Sequence, residues 1–379
     1  MVEAAGDRLG DRRFGGVFVP GLNRDLWLPG QDSRMLTFFQ TPELRVVRDR
    51  VDFVPSSYAQ ILRRFEQEPP DAVLFMCSPP DDEGYCSFGT ECSFVADLWP
   101  RTRHRIAHIN PLMPRPPGRR GIPLAEITAC VEGDQPLLSV PASRPDPVSQ
   151  AIAAHLAPFI GDGATVQTGL GKVPDAVLDR LHDRRRLRMH TGLVGDGAAR
   201  LASSGALAGK GAILAGAAIG SERLYDQLGR DEFDFQPVSV THDIRRIAAN
   251  DAFVAINSAL SVDLFGQAFS EVSSGAAMSG PGGAIEFAQG ARLSAGGLSV
   301  VALPSSAASG ALSRIALPQD TEGPVTINRL LIDLVVTEHG VADFRNGTHD
   351  ERAERLIAIA APQFRAVLAE GWAAIARSL

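Results

Sequence analysis

Apolar runs of strand length alternate with amphipathic stretches of helix length, and this alternation constrains the fold more than any single motif. Residues 16–20 (Gly-Val-Phe-Val-Pro), 73–77 (Val-Leu-Phe-Met-Cys) and 106–109 (Ile-Ala-His-Ile) read as strands, and residues 57–66 and 93–98 as helices. Strands separated by helices give an α/β fold with a largely parallel sheet. The proline-rich stretch 111–118 interrupts the pattern as a loop. A second cycle opens at Asp146, a helix cap followed by Pro147 in the first helical position. That helix runs through Ile152 and Leu156 until Pro158 ends or kinks it. A strand over 164–168, a glycine turn and a helix over 174–181 come next. Further strands are expected over 252–257, 298–303 and 331–337, and closing helices over 351–360 and 362–378. The Pro/Ser-rich stretch 137–146 is the best single cut, dividing the chain into domains 1–142 and 143–379. At 379 residues the chain is long enough for two cores.

Composition excludes several functions. A net charge of −7 gives no electrostatic case for a nucleic-acid partner. No run of about 18 apolar residues suggests a membrane span, and the first residues carry no apolar signal core, so a cytoplasmic location is expected. Four cysteines in so large a chain do not suggest a disulfide framework. Cys86, Cys92, His104 and His108 approach a zinc-binding spacing, but the gap between the cysteines is too long for the usual finger. The alternation around His104 and His108 reads as a packed strand instead.

Three glycine-rich segments carry most of the chemical information. Gly169-Leu170-Gly171, after a strand and before a helix, suits a phosphate held by helix N-terminal amides, or a plain tight turn. It is no dinucleotide fingerprint, because the third glycine position is Pro174. Residues 205–211 look like a phosphate-binding loop but are one residue short and lack a hydroxyl after Lys210, so they read as an ordinary loop. Gly280-Pro281-Gly282-Gly283 is the strongest local signal: such a turn can aim successive amides at an oxyanion, or simply join two sheets.

Taken together, ordered segments resemble the acetyl-CoA hydrolase/transferase family, which includes 4-hydroxybutyrate CoA-transferases. They are Ser-Pro-Pro-Asp-Asp-Glu-Gly-Tyr at 78–85, Asn-Pro-Leu-Met-Pro-Arg at 110–115, the segments 167–178, 189–197, 250–267 and 279–287, and those around Ser305, Glu338-His339-Gly340 and Glu351. The resemblance covers nearly the whole chain from about residue 45. It implies two similar CoA-transferase-type domains, each a mostly parallel sheet flanked by helices. It also implies coenzyme A as a substrate rather than a cofactor, with acyl-CoA and carboxylic acids as small-molecule partners. A homodimer, or a heteromer with a second CoA-transferase chain, is expected.

The same resemblance exposes a departure. The fourth residue of 189–197, aligned with the family's nucleophilic glutamate, is Gly192. In the family, carboxylate attack on the acyl-CoA leads through an anhydride to a glutamyl-CoA thioester. Glycine has no side chain for that step. By resemblance, Gly282 and Gly283 form the oxyanion site, and Gln167, Gly169, Gly171, His190, Gln267, Gly280, Ser305, Gly340 and Met113 contact CoA or substrate. Glu271 is the second choice of nucleophile; His190 or Glu271 would assist direct water attack. Asp196 reads as a helix-entry residue, and Glu286 stands where relatives usually carry Asp. The family's first strand, turn and helix are expected to be absent here, which would expose a sheet edge. Three readings follow: a CoA-ester transferase or hydrolase; a non-catalytic CoA-binding protein or heteromer subunit; and, at the level of fold alone, an unrelated sugar-phosphate or nucleotide-binding protein.

Overall fold

A computed structural model describes residues 12–17, 28 and 32–379. Its first half builds two small parallel sheets, from strands β1 (Arg13–Gly16), β2 (Arg34–Thr37) and β3 (Val51–Phe53), and from β4 (Ala72–Cys77), β5 (His104–Ile109) and β6 (Ala129–Glu132). The strand expected over 16–20 ends at Gly16, and residues 18–20 lie outside the described residues. Helix α1 (Tyr58–Gln67) starts where the sequence suggests, because Ser57 and Gln60 form a reciprocal capping box. Ile61 and Leu62 face its core side.

The second half holds one eight-stranded sheet. In chain order its strands are β7 (Thr165–Thr168), β8 (Arg188–His190), β9 (Ile213–Ala215), β10 (Phe233–Phe235), β11 (Phe253–Asn257), β12 (Leu298–Ala302), β13 (Leu334–Thr337) and β14 (Gly340–Asp343). In space the order is β10-β9-β8-β7-β11-β12-β13-β14, parallel throughout except for the last pair. The chain therefore moves outward one way from β7 and, after returning to β11, outward the other way. Two connections diverge between β7 and β11, and in open parallel sheets the crevice beyond the carboxyl ends of such strands is where ligands bind. Helices α2 (Pro147–Leu156), α3 (Lys172–Asp179), α4 (Asp196–Ser204), α5 (Ala284–Leu293), α6 (His349–Ile359) and α7 (Arg365–Ala376) accompany the sheet.

The local reasons match the sequence. Asp146 caps α2, accepting from the Ser149 amide at 2.9 Å while the Ser149 hydroxyl accepts from the Asp146 amide. A short 3-10 turn takes over at Ala157–Phe159, where Pro158 removes a donor. Alternation along the strands sends Val166, Val254, Ile256 and Val300 to one face and Phe253, Ala255 and Val301 to the other. One apolar cluster joins Cys77, Phe88 and Ile109 to Val166, Met189 and Phe235, so the two halves share an interior. His104 and His108 lie on β5 as expected, and His108 Nε2 meets the Gly133 carbonyl at 3.0 Å. Among the described residues, no group of three or more His, Cys, Asp or Glu side chains is arranged to hold a metal ion. No described helix is long and apolar enough to cross a membrane.

Candidate functional site

The glycine motifs converge where the topology predicts a crevice. Strand β7 runs into Gly169-Leu170-Gly171, β8 into Gly192 and β11 into Asn257. Register puts Gly192 and Asn257 at one level, since Arg188 pairs with Thr165 and Phe253 also pairs with Thr165. A Cβ added to Gly169 or Gly171 would meet nothing within 4 Å, and Gly171 has φ +122°, so this turn stands open above the sheet.

The loop 280–283 is held from the first half of the chain. A Cβ on Gly280 would lie 2.2 Å from the Phe38 carbonyl oxygen, so only glycine permits this approach. Gly282 has φ +60° and bridges to Ser57, the cap of α1. Glu286 Oε1 accepts from the Ala59 amide at 3.0 Å, joining the first turns of α5 and α1. Burial pushes its carboxyl pKa up, opposed by the hydrogen bonds to Ser57 and Ala59.

Between these two motifs lies a residue that the sequence did not single out. A Cβ on Gly192 would sit 2.8 Å from Cε1 and 3.0 Å from Nε2 of His242, and one on Gly283 would sit 2.4 Å from the same Nε2. The imidazole therefore fills the space that side chains at both glycines would claim. Phe287 flanks it with ring centroids 5.0 Å apart, and Tyr58 of α1 approaches edge-on at 4.6 Å. His242 is 3% exposed. Its Nδ1 lies 2.9 Å from Thr241 Oγ1, which also lies 3.2 Å from the Pro237 carbonyl oxygen. With the hydroxyl proton on that carbonyl, the imidazole proton sits on Nδ1 and Nε2 carries the lone pair; with it on Nδ1, the ring proton sits on Nε2. That nitrogen is buried without a hydrogen-bond partner, a situation that costs about 1–3 kcal/mol. Burial, with a smaller contribution from His190, pulls the His242 pKa down to about 3, so the ring stays neutral near pH 7.

Two other buried polar atoms at the strand ends also lack partners: Gln167 Oε1 and Asn257 Nδ2. Gln167 pairs with Ala255, and Asn257 is two residues further along the same strand, so both share the face of Phe253 and Ala255. Phe287, the neighbour of His242, packs in that same cluster. This region thus gathers an amide oxygen, an amide nitrogen and an imidazole nitrogen that the protein itself does not satisfy.

The remaining expected residues have the following surroundings within the protein. His190 is buried; its Nε2–H donates to the Thr241 carbonyl at 2.9 Å, and Asn250 Nδ2 donates to its Nδ1 at 3.2 Å, so neither nitrogen is free. Burial lowers its pKa. Glu271 accepts from the Thr326 hydroxyl at 2.9 Å, with its pKa raised by burial. It is not among the atoms nearest a Cβ on Gly192, where the third neighbour is already Phe287 at 3.9 Å. Ser305 is fully buried, its amide and hydroxyl both donating to Glu338 at 2.8 and 2.7 Å. Gly340 follows one residue after His339 with φ +142°. Gln267 donates to Asp263 at 2.9 Å from its side chain and at 2.8 Å from its amide. Met113 packs against Gly89, where a Cβ would lie 2.1 Å from its Sδ. Asp196 opens α4, and its carboxylate accepts from the Ser221 amide at 3.1 Å.

Two clefts, of about 490 and 660 Å³, open elsewhere on the surface. The first lies between Arg45, Arg48 and residues 275–277, the second between residues 78–80, 111–115 and Tyr225. Neither is lined by Gly192, His242 or Gly283, because the imidazole and its aromatic neighbours occupy that ground.

Glycine turns and unsatisfied polar atoms at the switch point of a parallel sheet make this a candidate small-molecule site of the α/β class. The acetyl-CoA hydrolase/transferase C-terminal domain family matches residues 220–372. A 4-hydroxybutyrate coenzyme A transferase of Clostridium kluyveri is 36% identical over 325 residues, covering 83% of this chain and 76% of the relative. A succinyl-CoA:cyclohexane-1-carboxylate CoA transferase of Geobacter metallireducens is 33% identical, covering 84% and 75% respectively. The crystal structure of RipA from Yersinia pestis superposes with a TM-score of 0.87 at 29% identity, over 97% of this chain and 94% of that one. The chain belongs to the acetyl-CoA hydrolase/transferase family.

Proposed function

We propose that the protein is a CoA-ester enzyme acting on short acyl-CoA, and that it favours hydrolysis over CoA transfer. The observation that carries this reading is the imidazole of His242 in the place of a side chain at Gly192. Position 192 has neither the carboxylate that a glutamyl-CoA intermediate needs nor room for one while His242 stays where it is. Water attack on the thioester is the remaining route. Amides of Gly282 and Gly283 take the oxyanion, while Gln167 Oε1 and Asn257 Nδ2 pair with the bound ester. The open turn at Gly169 and Gly171 lies toward the phosphate-bearing portion of CoA. CoA enters as a substrate and leaves as the thiol, and the carboxylic acid is the second product. Domains 1–142 and 143–379 form the working unit, as a cytoplasmic homo-oligomer.

The filled site favours one second reading, a CoA-binding protein that does not turn over or that works with a carboxylate-bearing partner chain. Free-thiol release from acetyl-CoA, together with the CoA esters formed when short carboxylic acids are added, separates the two. Free thiol with no CoA ester of the added acid supports hydrolysis. Formation of the added acid's CoA thioester, with acetate released and no free thiol, shows transfer and overturns the reading. Binding without release supports the second reading.

A further inference from the structure

We propose that His242 is the catalytic base of this site, removing a proton from the water that attacks the thioester carbonyl. This rests on the CoA-ester reading given above. Geometry favours His242 over His190 and Glu271. Both His190 nitrogens are taken, and Glu271 is bonded to Thr326. His242 Nε2 is buried, unpartnered and directly against both glycine motifs. A Thr241 hydroxyl that donates to the Pro237 carbonyl accepts from Nδ1–H, which is the tautomer that a base requires. Gln167 Oε1 and Asn257 Nδ2, unpaired on the same sheet face, are an independent sign that a polar ligand completes the site.

The step balances as follows. The water oxygen bonds to the carbonyl carbon and one of its protons moves to His242 Nε2, giving an imidazolium and a tetrahedral oxyanion at Gly282 and Gly283. The oxyanion collapses, the C–S bond breaks, and the sulfur takes the proton from Nε2. Carboxylic acid and CoA thiol are released and the imidazole is again neutral. The Tyr58 ring lies edge-on to the imidazole.

The test is thiol release from acetyl-CoA by the full chain, its H242Q and H242N variants, and the wild type in D2O, with CoA affinity measured by calorimetry. Expected are a loss of about 10²–10⁴-fold in kcat for both variants, CoA affinity changed by less than about threefold, and slower wild-type turnover in D2O. Variants with wild-type turnover overturn the proposal, as does an acetyl group trapped on His242, which would make it a nucleophile. Should neither variant fold, the absence of a D2O effect on the wild type overturns it independently. Wild type that binds CoA but releases no thiol refutes the base while leaving a CoA site; wild type that binds no CoA refutes the CoA-ester reading itself.

Discussion

Replacing Gly192 by glutamate puts the steric argument at risk most directly. The first added carbon already lies 2.8 Å from His242 Cε1, and the carboxylate must extend further in the same direction. The ring cannot retreat freely, because Thr241 holds Nδ1 and the rings of Tyr58 and Phe287 pack against it. Overpacking of this kind costs about 1–3 kcal/mol. His242→Ala alone empties a buried ring and should cost about 2–5 kcal/mol, less whatever the lost unpaired nitrogen returns. In the double variant the carboxylate enters the space left by the ring, so the two costs should not add. We expect the double variant to be about 0.5–3 kcal/mol more stable than the sum of the single changes implies. Urea unfolding of the four proteins gives the coupling. Additivity within about 0.5 kcal/mol would refute the claim that the two positions contest one volume. The same set, incubated with acetyl-CoA and weighed intact, should show a CoA-mass adduct on the double variant and none on Gly192→Glu alone.

Three further outcomes follow from the same structure. With its pKa at about 3 when folded and near 6.5 when unfolded, His242 takes up a proton more readily in the unfolded chain; stability should fall as the pH is lowered from about 6.5 to about 3, by up to about 1.4 kcal/mol per pH unit, and His242→Asn should show an acid slope shallower by up to one proton. Glu338→Ala strands the buried Ser305 amide and hydroxyl and should lower stability by about 1–3 kcal/mol, with Glu338→Gln milder, both read from denaturation midpoints. Asp146→Ala removes the cap of α2 and should cost about 1 kcal/mol without altering thiol release.

Much of the architecture was legible because the signals were local. The Asp146-Pro147 start, the Ser57 start of α1 and the long apolar strands each follow from neighbouring residues. Strands β8, β9 and β10 have three residues each, too few for a periodic pattern to declare itself. The glycine turns were recognised as special, but their meeting place was not readable. His242 belongs to a short polar stretch fifty residues after Gly192 and carries no motif. Only tertiary packing sets it between two glycines. Ser305, Gln267 and Met113, expected at the ligand from the resemblance, have partners within the protein in Glu338, Asp263 and Gly89, contacts that no sequence pattern declares.

The central claim is CoA-ester chemistry without a protein-bound thioester. A single-turnover reaction of the wild-type chain with acetyl-CoA, following thiol release and then weighing the intact protein, tests it most directly. The account predicts one thiol released per acetyl-CoA consumed and a protein of unchanged mass. A CoA-mass adduct on the wild type would contradict it, and another carboxylate, Glu271 first, would then be the nucleophile of an ordinary transferase.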